Sequence, residues 1–118
     1  MSEPVLHELV QTYVVGDTLV LSLAGDLDLH MSLMVFPSVS EAVRPAEGRV
    51  VIDLREVTFV DCSGLELLLQ IRRLVRAQGG TVRILSPHPT LLRIVRYLAL
   101  EEPFEVIGHL GDELADWP

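Results

Sequence analysis

The chain has 118 residues, 49% of them apolar and 22% charged, a length and balance that favour one domain with its own core over a disordered chain. Nine Lys+Arg, all of them Arg, stand against 17 Asp+Glu for a formal net charge of −8. A binder of phosphate backbones needs a dense basic face, so nucleic acid is not expected as a partner. No apolar run approaches the roughly 20 residues of a membrane span, the opening residues do not read as a signal peptide, and one cysteine, Cys62, fits a reducing compartment. The expectation is a cytoplasmic protein without membrane insertion.

In chain order, Val5 to Val15 alternates loosely and stops at the turn pair Gly16-Asp17. Thr18 to Ala24 is rich in residues that suit a pleated, buried surface and predicts a second strand. Gly25-Asp26-Leu27-Asp28 then reads as a turn and a helix cap, both of which favour Asp, or as two carboxylates placed for a cation or for a partner's arginines. Met31 to Val43 has helical spacing through Leu33, Phe36, Val39 and Val43, with Pro37 predicting a kink or a late start. Arg49 to Leu54 is a continuous apolar run, the pattern of a strand covered on both faces.

Gly64 to Gln78 is the clearest helix, with Leu65, Leu68, Leu69, Arg72 and Val75 on one face and Gly79-Gly80 as its stop. Thr81 to Ser86 predicts a strand and Pro89 to Ala99 a helix with Leu91, Leu92, Val95 and Leu98 inward. Phe104 to Ile107 predicts a last short strand and Asp112 to Trp117 a terminal helical turn. The order β-β-α-β-α-β-α-β implies an α/β domain with a central mixed sheet of four to five strands, flanked by about four helices. Ligands and partners of such sheets meet the rim beyond the carboxyl ends of the strands, where Asp61, Cys62 and Ser63 fall.

Ser63-Gly64-Leu65-Glu66 fits a capping box, in which the serine hydroxyl accepts a helical amide and the glutamate reaches back. Gly64 leaves that hydroxyl approachable, and a helix start is a seat for phosphate, so cap and phosphoacceptor are compatible roles for Ser63. A nucleophilic serine has less support, because Asp61 and Leu65 stand where a G-x-S-x-G elbow has glycines. Cys62 reads as a small buried apolar residue. No P-loop, G-x-G-x-x-G or metal-ligand spacing occurs, so no cofactor and no metal are expected.

Together, L-S-L-A-G-D-L-D at 21–28 and V-V-I-D-L-R-E-V-T-F-V-D-C-S-G-L at 50–65 resemble the STAS domain, and more closely its free-standing members, the bacterial anti-sigma factor antagonists. The resemblance covers nearly the whole chain and implies a single STAS domain over 1–118 that is a binding protein and not an enzyme. It implies a partner that is both an anti-sigma factor and an ATP-dependent serine kinase. Binding frees a sigma factor, the kinase phosphorylates the serine of D-x-S-G, here Ser63, and a serine phosphatase resets it. By matching position, Asp28 is the acidic residue near the phosphoacceptor and Asp61 the one that precedes it. Asp26, Cys62, Gly64, Leu65 and Glu66 complete the expected surroundings. Two positions depart from the pattern: Glu66 replaces a residue that is often small, and Pro37 interrupts the first helix. The competing readings are a STAS subunit of a membrane transport complex, a stress-signalling scaffold, and a hydrolase using Ser63.

Overall fold

Turn chemistry opens the fold: β1 (Val10–Val15) and β2 (Thr18–Leu27) pair antiparallel across Gly16-Asp17, where Gly16 takes a left-handed φ of 60°. The computed structural model describes residues 9–45, 48–86, 88–98, 102–108 and 110. After the hairpin come α1 (Leu29–Val43), β3 (Arg49–Val60), α2 (Cys62–Ala77), β4 (Thr81–Leu85), α3 (Pro89–Leu98) and β5 (Glu105–Ile107). The five strands lie in the order β1-β2-β3-β4-β5, and every pair after the first is parallel. Each crossover moves one strand along in the same direction, so right-handed connections bring all three helices to one face.

Alternation divides the sheet residues accordingly. Leu21, Leu23, Val50, Ile52, Leu54, Val82 and Ile84 form one core with the inner faces of the three helices, while Val20, Val51, Leu85 and Ile107 form a second cluster on the opposite face. Leu65, Leu68, Arg72 and Val75 of α2 and Leu91 and Val95 of α3 are buried as their spacing predicts. Gly79, at φ 84°, ends α2, and its amide and that of Gly80 donate to Arg76 O and Val75 O.

Two buried charges bear on stability. Asp53, 3% exposed, accepts from the Arg55 amide at 2.9 Å and from that guanidinium at Nε (3.0 Å) and Nη2 (2.8 Å). The bond to Asp53 holds Arg55 above its ordinary pKa. Arg72, 7% exposed, stacks 4.1 Å from the centroid of the Phe104 ring. Among the described residues its Nη1 has no hydrogen-bond partner, and burial lowers its pKa.

The structure corrects several expectations. β2 continues through Leu27 instead of turning at Gly25, and two register shifts against β3, with Gly25 at φ 92°, form a bulge there. β3 continues to Val60, because pairing with the bulged end of β2 carries it past the apolar run. Pro37 lies inside α1 and does not end it. That helix buries Met31, Val35, Val39 and Val43, and it turns Leu33 outward, 68% exposed. Three helices stand among the described residues, and the helical turn expected over 112–117 lies outside them.

Candidate functional site

β2 and β3 end side by side, with Leu27 opposite Val60 and the Asp61 amide donating to the Leu27 carbonyl at 3.3 Å. Each strand then passes into a helix through an aspartate. Asp28 and Asp61 have nearly the same extended backbone (φ −113° and −110°), and each carboxylate accepts from the third helical amide. The bonds are Met31 N to Asp28 Oδ1 at 2.9 Å and Gly64 N to Asp61 Oδ1 at 3.0 Å. Two helix N-termini, the positive ends of their dipoles, therefore open at one rim of the sheet.

Ser63 occupies the second helical position of α2, so it is not the cap. β3 runs to Val60, which makes Asp61 the first residue off the strand and gives it the capping bond. Nor does Glu66 reach back. Its Oε1 pairs instead with Arg73 Nη2 at 2.7 Å, two turns along α2. Freed of capping, the Ser63 hydroxyl has no hydrogen-bond partner among the described residues, and it lines a groove of about 470 Å³ between α1 and α2. Leu29, Ser32, Leu33, Phe36, Pro37, Cys62, Glu66, Leu67 and Gln70 form the rest of that groove.

Two contacts hold the backbone at the serine. Gly64 packs on the end of β2 so closely that an added methyl group would overlap the Leu27 carbonyl. The Ser32 hydroxyl donates to Asp28 O at 2.6 Å and lies 3.4 Å from Ser63 O, bridging α1 to the turn. On the same rim, the Thr58 hydroxyl donates to Asp26 Oδ1 at 2.9 Å, linking the bulged end of β2 to β3.

Of the residues singled out in the sequence, Ser63, Cys62 and Glu66 line this groove, while Gly64 and Leu65 are buried behind it. Asp61 holds its N-terminal end. Asp26 and Asp28 line a neighbouring cavity of about 320 Å³ with His30, Met31 and Met34. Cys62 is exposed at the first helical position, not buried, because the inward positions of that turn belong to Gly64 and Leu65. Sequence reasoning missed Leu29, Ser32 and the outward turn of Leu33. The available signal was that α1 carries more apolar residues than one core-facing stripe needs. Among the described residues, no cluster of three His, Cys, Asp or Glu is placed to hold a metal ion, and no histidine lines the groove that holds Ser63. No helix among them is long and apolar enough to cross a membrane.

A sheet flanked on one face by three helices, with a D-x-S-G turn at the helix start beyond β3, defines a class. The STAS domain model matches residues 10–116, and the chain belongs to that family. It is 31% identical over 78 residues to an anti-sigma F factor antagonist of Paenibacillus polymyxa, covering 65% of this chain and 67% of that one. It is 42% identical over 69 residues to the intermembrane phospholipid transport system binding protein MlaB of Escherichia coli strain K12, covering 58% and 66% of the two chains. Among solved structures, the anti-sigma factor antagonist SpoIIAA in its unphosphorylated form superposes with a TM-score of 0.66 at 25% identity, covering 91% of this chain and 94% of that one.

Proposed function

We propose that this protein is an anti-sigma factor antagonist switched by phosphorylation of Ser63. It binds an anti-sigma factor that is also an ATP-dependent serine kinase, and this frees the sigma factor. The kinase then phosphorylates Ser63, the complex separates, and a serine phosphatase restores the binding form. The observation that carries this reading is the free Ser63 hydroxyl at the groove, relieved of capping by Asp61. Similarity to antagonists named for an anti-sigma factor supports the partner class.

The chemistry of the switch follows from charge. Phosphorylation adds about −1.5 to −2 charges at one hydroxyl. In the free domain the N-terminal amides and dipole of α2 favour that group, so the fold survives. Inside a contact the phosphate must be desolvated beside Glu66 and the Asp61 cap, and like charges in an interface cost several kcal/mol. In this reading the protein acts by binding a partner, and among the described residues no histidine lines the groove beside Ser63.

The identity to MlaB favours a second reading, a subunit of a membrane transport complex. One experiment separates the two. The purified protein is incubated with ATP and the kinase-like anti-sigma factor encoded in the same genome, and phosphate is mapped by mass spectrometry. Phosphate on Ser63, absent in Ser63→Ala, is the expected result. An active kinase that leaves Ser63 unmodified overturns the switch and moves the reading to the transport subunit.

A further inference from the structure

We infer that Glu66 selects the partner: the groove between α1 and α2 takes an amphipathic helix of the anti-sigma factor that places one arginine or lysine beside Ser63, and Arg73 holds Glu66 until that helix arrives. The inference rests on the antagonist reading above and gives it a specificity-determining residue. Leu29 and Leu33, one turn apart on α1, are 58% and 68% exposed, and with Phe36 and Leu67 they make an apolar seat between two helices. Such a seat matches the spaced apolar anchors of a helix laid into a groove.

Charge identifies what that helix carries. Glu66 is the only charged residue among the described residues lining the groove. The first 43 residues contain no Arg or Lys, so α1 brings no cation of its own. The side chains of Arg73 and Glu66 are 61% and 52% exposed, and an ion pair so open to water is weak and readily exchanged. A partner cation that replaces Arg73 is desolvated with Glu66 as the groove closes. One partner cation then neutralises Glu66, and the unmodified contact is charge-balanced. Phosphate on Ser63, one helical turn away, leaves that contact with about two negative charges in excess. The same residue therefore sets partner choice and sharpens release.

The test measures binding of the purified candidate anti-sigma kinase to four forms of the full chain, with circular dichroism to confirm that each is folded. Glu66→Gln is expected to bind about tenfold more weakly than the wild type, with a shallower salt dependence, and Glu66→Arg about a hundredfold more weakly. Reversing the matching basic residue on the kinase is expected to restore binding to Glu66→Arg. Arg73→Gln, which releases Glu66, is expected to bind as well as the wild type or better. Equal binding by the wild type and Glu66→Arg overturns the inference and leaves the antagonist reading standing. So does a loss in Arg73→Gln equal to that in Glu66→Gln. No binding by the wild type overturns both.

Discussion

The Gly64 amide donates to the Asp61 carboxylate at 3.0 Å, and this bond decides which residue starts α2. Ser63 lies between the two in sequence and is excused from capping. Asp61→Ala is therefore expected to lower stability by about 1 kcal/mol, the worth of an N-cap. Ser63→Ala, which removes a hydroxyl without a partner among the described residues, is expected to stay within about 0.5 kcal/mol of the wild type. Urea denaturation of the two variants checks this, and the reverse order would restore the serine as cap.

Gly64 is held by shape. A methyl group there overlaps the Leu27 carbonyl, which belongs to backbone and has little freedom to move. Gly64→Ala is expected to cost about 1–3 kcal/mol or more, as overpacking does. Its denaturation midpoint should fall well below that of Ser63→Ala, although both changes alter a single small residue of the same turn.

The pairing of Ser63 with an apolar groove sets the expected behaviour of its variants. Ser63→Asp should fold and bind the kinase about a hundredfold more weakly, whereas Ser63→Ala should bind like the wild type and resist phosphorylation. Titration calorimetry of each variant against the kinase measures this. Tight binding by Ser63→Asp would remove charge as the basis of release.

Arg72 offers a different test, because its buried Nη1 lacks a hydrogen bond among the described residues while its stem and guanidinium pack on Phe104. Arg72→Met keeps the packing and removes the desolvated charge, so it is expected to match or exceed wild-type stability. Arg72→Ala loses the packing as well and is expected to be destabilised. Thermal melts of the pair give the comparison.

The order of the elements was legible in the sequence because apolar runs, Gly79-Gly80 and the prolines mark most of their ends. The ends of β2 and β3 were not. Gly25, Asp26, Arg55 and Glu56 break the apolar pattern, and only pairing between the two strands carries them onward. That extension is also what moved the cap from Ser63 to Asp61: both residue types cap well, and the tie is resolved by where β3 stops. The exposed positions of Leu33 and Cys62 were equally hidden. Spacing identifies a helical stripe, but which of two apolar stripes faces the sheet depends on the packing of the whole layer.

The site's parts come from two segments, 26–37 and 58–70, joined by the parallel pairing of β2 and β3. Parallel strands meet only after the crossover helix between them has closed a long loop. A peptide cut from residues around Ser63 thus carries the serine without Ser32, Leu33 or the Leu27 contact that shape its surroundings. A kinase that phosphorylates Ser63 in the proposed switch is therefore expected to act on the folded domain and to leave such a peptide unmodified.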